Sequence, residues 1–335
     1  YFLTWCSIFW IGMTIFSVPY VAMGYEMSSD FHERTRLMAI AQWIGQWAWV
    51  IAPWFWIILY DPNWFESATA GARTLSIWVA GVCMSLALVP AIFCTFTNTA
   101  EDDNRSAANE GTLMDSVRDF GSGIMTTLRN KAFRKICLAT FLVFNAFQVI
   151  AAFSWFIIVY YMNAGDPVAA GVWPTLFGSI GALFTCFLVI PVINWSAQRY
   201  GKLNTFMVSQ SVSLLGYIFL WWGFSPENPW MMFIPLPLFS FGIGGLFTIM
   251  MSMTADICDM DELETGERRE GTFGAIYWWM VKFGAAVAGA GSGLILSFIG
   301  FDQNVAIQSD ETLAMLRLSY ILIPCIGTSI AIFVM

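Results

Sequence analysis

PYVAMGYEMSSDFHERTRL, residues 19–37, and TADICDMDELETGERREG, residues 254–271, are built to one plan although they stand more than two hundred residues apart. In each, acidic residues come first, arginines follow, and the chain then re-enters a long apolar stretch. Each also joins a pair of apolar spans. One charged connection used at matching places in two parts of a chain marks an internal repeat, and repeats of this kind build membrane transporters.

The rest of the chain fits that frame. It is 58% hydrophobic and 11% charged, against about 25% charged residues in soluble domains. Nine apolar spans can be read: Tyr1–Tyr25, Leu37–Tyr60, Thr74–Ala100, Ile136–Gly165, Pro167–Gln198, Leu203–Pro226, Asn228–Ala255, Gly271–Phe301 and Leu318–Met335. Only the eighth contains a charge, Lys282. A helical crossing needs about 20 apolar residues, and backbone groups in lipid must be satisfied within the helix. The expected fold class is therefore an all-α polytopic membrane protein with nine visible helices.

The net charge of -8 matters less than its distribution. Of the fifteen Lys and Arg residues, twelve fall in alternate connections: Arg34 and Arg36; Arg105, Arg118, Arg129, Lys131, Arg134 and Lys135; Arg199 and Lys202; Arg268 and Arg269. Basic connections face the cytoplasm, so residue 1 is expected outside and the C-terminus inside. Such a start, with no initiator Met, charged n-region or cleavage site, implies N-terminal truncation and not a signal peptide. The last span, of 18 residues, suggests a clipped C-terminus. Seven cysteines without CxxC or CxxH spacing read as packing residues, not as a metal site or disulfides. No nucleophile triad, phosphate-cradling glycine loop or nucleic-acid feature is present.

Residues 97–135 form the one hydrophilic connection long enough to be a linker. Within it Leu113, Val117, Phe120, Ile124 and Leu128 recur at helical spacing among basic residues, predicting an amphipathic helix on the membrane surface. It divides the chain into residues 1–96, the central connection 97–135, and residues 136–335, with three spans before and six after. Pairing Glu33-Arg34 with Glu267-Arg268 gives an offset of 234 residues. Equal halves then require three further helices before Tyr1, which agrees with the odd number that topology demands.

The Pro19–Leu37 segment, through Pro19, Tyr20, Ala22, Glu26, Asp30, Glu33, Arg34 and Leu37, resembles the fourth-helix and following-loop signature of the glycoside–pentoside–hexuronide:cation symporters, a branch of the major facilitator superfamily. The second segment resembles that family's loop before helix eleven at Asp256, Asp259, Asp261, Glu262, Thr265, Gly266, Arg268, Arg269, Glu270 and Gly271. The phrase RNKAFRK, residues 129–135, resembles its motif before helix seven. The resemblance implies a major facilitator fold of two six-helix halves, with helices 4–6 in residues 1–96 and helices 7–12 in residues 136–335, the first three being missing. It implies symport of a sugar, glycoside or sugar acid with Na+ or H+ by alternating access, no cofactor beyond the transported cation, no enzymatic activity, a bacterial inner membrane and a monomer. Three positions depart from it. Ser17 stands where melibiose-type members carry Asp, Gln42 where they carry Arg, and Met260 replaces an aromatic; the first two bear on galactoside recognition and on sodium as the ion. An uncoupled facilitator, or a carrier of a non-sugar solute, is the alternative.

Candidate residues follow. Lys282 lies about 16–18 Å along its helix from the charged loop, too deep to snorkel, and the family has a Lys there; it is the candidate coupling residue. No carboxylate lies inside any visible span, so partners are expected in the missing helices. Asp30, Glu33, Arg34, Asp256, Asp259, Arg268 and Arg269 form the candidate cytoplasmic gate, made in one state and broken in the other, with helix-end solvation as the plainer reading. Ser17, Tyr20, Gln42, Trp43, Gln46, Phe247 and Trp278 are candidates for a substrate cavity, since sugars need aromatic platforms beside amides. Many of the 17 Trp are instead expected in interfacial belts. Ala285, Gly289 and Gly293 read as a helix-packing ladder.

Overall fold

The computed structural model describes residues 2–27, 30–60, 63–93, 124–266, 269–302, 305 and 307–335. Among them nine long helices follow one another: α1 (Phe2–Glu26), α2 (Phe31–Tyr60), α3 (Ala68–Phe93), α4 (Lys131–Met162), α5 (Trp173–Tyr200), α6 (Lys202–Gly223), α7 (Pro229–Thr265), α8 (Glu270–Phe298) and α9 (Asp310–Val334). Eight are long and apolar enough to cross a membrane. The other, α2, has 30 residues but opens on a charged turn and carries Gln42 and Gln46. The amphipathic helix expected over 113–128 lies outside the described residues apart from a helical segment at 124–129.

Two boundaries differ from the sequence reading. The charged connections are mostly helix: Pro19–Glu26 belongs to α1, the chain is helical again from Phe31, and Asp256, Asp259 and Asp261 all lie on the last turns of α7. Polar residues do not stop a helix at the end of an apolar run; a residue able to reverse the chain does. At the end of α7 that residue is Gly266, at φ +71°, whose N–H returns to the Glu262 carbonyl at 2.8 Å. Likewise α9 begins at Asp310, eight residues earlier than expected, because Ser309 caps it by accepting from the Thr312 N–H at 3.1 Å.

Three helices contain a widened π-type turn: Ile157–Met162 in α4, Thr185–Val189 in α5 and Leu246–Met250 in α7. In α5 the cause is local. Pro191 follows the turn and cannot donate to the ladder, and the Ile190 N–H reaches back to Thr185.

Two compact units are present, Tyr1–Pro53 with Leu128–Met335, and Trp54–Thr127. In the smaller one, Phe65 fills the space beside Gly71 and lies 6.3 Å from Trp78. In the larger one the core gathers Phe153, Ile157, Tyr217, Leu236 and Tyr320 from α4, α6, α7 and α9. Glycine sets the closest approaches. A Cβ on Gly216 of α6 would strike the Phe239 backbone of α7, and Gly284 and Gly327 bring α8 and α9 against α4 carbonyls. The predicted ladder is displaced by one residue. Gly284, Ala288 and Ser292 are the buried small side of α8, whereas nothing lies within 4 Å of a Cβ at Gly289 or Gly293. Large apolar side chains point outward on most helices, among them Ile77, Leu86, Phe219 and Leu294, an outer surface suited to lipid.

Candidate functional site

Three short helix connections meet at one end of the larger unit. Asp30 caps α2, accepting from the backbone N–H groups of Glu33 at 2.8 Å and His32 at 2.9 Å. The Glu33 bond above all holds the Asp30 carboxyl below its ordinary pKa, against slight desolvation and with help from His32. The cap starts the turn that carries Arg34 inward, where it is 4% exposed. Its Nη1 lies 2.6 Å from Asp259 Oδ2 and 3.5 Å from Asp256 Oδ1. Lys202, the first residue of α6 and equally buried, places Nζ 2.7 Å from the other Asp256 oxygen. One turn deeper Thr35 Oγ1 and Ser252 Oγ are hydrogen-bonded at 2.9 Å. Arg269 pairs with Asp261 at 2.8 Å and donates to Thr265 Oγ1 at 3.1 Å.

Asp256 is the hub, one carboxylate shared by two cations from two helices. Arg34, Asp256, Asp259 and Arg269 are thus drawn into ion pairs, Asp30 and Glu33 stand beside them at the α2 terminus, and Arg268 lies outside the described residues. Sequence reasoning missed Lys202, which looked like one more topological charge. Its signal was the single Gly201, at φ +86°, between Arg199 and Lys202: a turn so short leaves the Lys inside the helix it begins.

Deeper in the unit, aromatic rings link four helices. Phe247, on the π-type turn of α7, stacks on Trp278 of α8 at 5.8 Å and 21°. Phe144 of α4 meets Phe247 edge-on at 5.8 Å, and Phe147 joins Phe144 at 6.3 Å to Trp49 of α2 at 6.2 Å. The Trp278 Nε1 is buried without a hydrogen-bond partner among the described residues. The Asn145 amide, also missed, donates to the Gly284 carbonyl at 3.1 Å. Apolar faces with a spare N–H can grip a ligand that has C–H faces and hydroxyl acceptors.

Lys282 follows Trp278 by four residues and shares its side of α8, about 18 Å from the start of that helix. Among the described residues it makes no ion pair; its Nζ lies 5.2 Å from the ring centroid of Trp10 on α1. A cation at that depth costs ~2.5–3.5 kcal/mol on the insertion scale, and a ring beneath it returns about 0.5–2 kcal/mol.

The other predicted cavity residues are dispersed. Trp43 and Trp47 pack edge-on against Phe187 of α5, at 6.2 and 6.0 Å, on the side of α2 whose carbonyls at Trp43, Val50 and Pro53 accept from Cys186, Ser179 and Thr175. Gln46, at 4% exposure, is buried between Trp43 and Val50 in sequence, while Gln42 is half-buried. Tyr20 is exposed and stacked on Phe16 at 5.7 Å, and Ser17 bonds within its own helix to the Thr14 carbonyl at 3.5 Å.

Comparison with known proteins adds what geometry cannot. The model of the family described as MFS/sugar transport protein matches residues 1–335. Over 329 residues the chain is 22% identical to the isoprimeverose transporter of Lactiplantibacillus pentosus, covering 96% of this chain and 64% of that protein. It is 25% identical over 245 residues to a glucuronide carrier protein homolog of Escherichia coli, covering 73% and 50%, and 23% identical over 329 residues to an uncharacterized symporter of Bacillus subtilis, covering 98% and 66%. The chain therefore spans about two thirds or less of the length of these curated relatives.

Proposed function

Since the chain belongs to the MFS/sugar transport protein family, an assignment in keeping with its resemblance to the glycoside–pentoside–hexuronide:cation symporters, we propose that it is the greater part of a secondary transporter that carries a sugar, glycoside or sugar acid together with Na+ or H+. It is an integral membrane protein of the major facilitator fold. The substrate class follows the relatives, whose names specify isoprimeverose and a glucuronide; coupling to a cation follows Lys282 and the symporter among them.

The observation that carries the reading is the shared carboxylate of Asp256. Arg34 on α2 and Lys202 on α6 converge on it, so the end that we assign to the cytoplasm is held shut by charges from separate helices and can be released as a group. Exposed pairs taken singly contribute only ~0–1 kcal/mol; a network around two buried cations can act as a gate. On the substrate path, the stacked Phe247 and Trp278 form one wall; Ser17, Tyr20, Gln42, Trp43 and Gln46, dispersed over α1 and α2, remain candidates on the sequence argument. Lys282, a turn from Trp278, senses the cation. The working unit is a monomer in the bacterial inner membrane, its C-terminus in the cytoplasm.

One specific observation favours a second reading. Ser17 stands where the resemblance implies an acidic residue, which suits a facilitator without ion coupling. Uptake by the full-length protein in proteoliposomes, under an imposed sodium or proton gradient and beside Lys282→Met, separates the two. Accumulation above equilibrium that needs one gradient and disappears in the variant is the expected result. Equilibration indifferent to both gradients would refute coupling.

A further inference from the structure

We propose that the ring of Trp10 is the resting contact of Lys282 on α1 in the ion-free protein. The proposal rests on the reading of Lys282 as a coupling residue and adds to it where the cation rests before it acts. Three observations converge. Lys282 Nζ lies over the Trp10 ring at 5.2 Å, inside the ~6 Å reach of a cation–π contact, and makes no ion pair among the described residues. From Phe2 to Tyr25, α1 carries no acidic side chain, so within that stretch nothing on the helix can oppose the lysine by charge. And α1 packs directly on α8, so the contact is built into a helix interface.

Trp10, Thr14 and Ser17 are spaced by four and three residues and so share one side of the helix. Both hydroxyls are occupied by their own backbone, Thr14 by the Trp10 carbonyl at 2.8 Å and Ser17 by that of Thr14 at 3.5 Å. Neither presents a charge. A π-face binds a cation less tightly than a carboxylate does and without a proton of its own to exchange, which suits a resting contact that has to be broken once per cycle. Trp10 is thus a positioning residue: it acts on transport only through Lys282.

The test uses the full-length protein with 5-fluorotryptophan incorporated at position 10 alone. In ion-free protein its ¹⁹F resonance is expected to differ between the parent and Lys282→Met, and in the parent to move toward the Lys282→Met position when sodium chloride replaces choline chloride or when the pH is lowered. An identical resonance with and without Lys282 would overturn the contact. A resonance that senses Lys282 but stays fixed under both changes would overturn its part in the cycle. Transport supplies the second readout. With 4,5,6,7-tetrafluorotryptophan, which keeps the shape but removes the negative face, a lysine that must leave the ring before the ion binds is released more easily, and the half-saturating cation concentration is expected to fall about five- to tenfold; an unchanged value refutes the linkage between release of Lys282 and binding of the ion. If Lys282→Met still accumulates sugar against its gradient, the coupling role itself fails, whatever the ¹⁹F result.

Discussion

The carboxylate of Asp256 is where the proposed gate is most exposed to test. Asp256→Asn keeps the shape and removes the charge shared by Lys202 at 2.7 Å and Arg34 at 3.5 Å. Removing one partner of a fully buried pair costs about 3–5 kcal/mol, but Asp256 is 24% exposed and Arg34 keeps Asp259 at 2.6 Å. The expected loss is therefore about 2–3 kcal/mol, borne chiefly by Lys202. At 1.4 kcal/mol per tenfold, the open form at this end should gain roughly 30- to 150-fold in relative population. Asp259→Asn, whose carboxylate is 47% exposed, should lose only ~0–1 kcal/mol. Spin labels on the α1–α2 and α7–α8 connections of the full-length protein, read by pulsed distance measurement, report the populations. The Lys202→Met/Asp256→Asn double variant isolates the pair, and a coupling of 0.5 kcal/mol or more is expected between contacting residues. If Asp256→Asn and Asp259→Asn behave alike, or if the double variant is additive, the shared-carboxylate account is wrong.

Packing and chemistry elsewhere give sharper single-site expectations. Gly216→Ala drives a Cβ into the Phe239 backbone and should destabilise by at least the ~1–3 kcal/mol of an overpacked core, while Gly289→Ala, with open space around it, should leave the melting temperature in detergent within error or slightly higher. Trp278→Phe retains the stack on Phe247 but deletes the buried Nε1 donor; losing one neutral hydrogen bond of ~0.5–1.5 kcal/mol should raise the KM for sugar about two- to tenfold, and an unchanged KM would remove Trp278 from the substrate wall. The Asp30 carboxyl is held below its ordinary pKa by the Glu33 and His32 N–H groups. Its cap is therefore complete above the unfolded carboxylate value and is lost as pH falls through the depressed one, so hydrogen exchange at residues 31–35 should accelerate only on strong acidification, an effect Asp30→Ala would bring to neutral pH.

The apolar runs by themselves determined the helices. In lipid a chain must satisfy its own backbone, so runs of about 20 apolar residues leave no choice but helix, and the repeated charged connections marked the family before any geometry was known. Of the candidate site, Lys282 stood out because a lone cation in an apolar run is costly wherever the helix lies, and the charged cluster that includes Arg34, Asp256, Asp259 and Arg269 because its charges recur twice. What lies beside what was not legible. Lys202 reaches Asp256 of α7 only because the turn at Gly201 sets it at the start of α6. Phe247, on the widened turn of α7, stacks on Trp278 of the next helix, a pairing that no spacing along either helix foretells. Trp10 was one tryptophan among 17 until α1 packed on α8 and put its ring beneath a lysine 272 residues away. Periodicity along one helix says which side a residue occupies, but only the close approaches allowed by Gly216, Gly284 and Gly327 decide which neighbour that side meets.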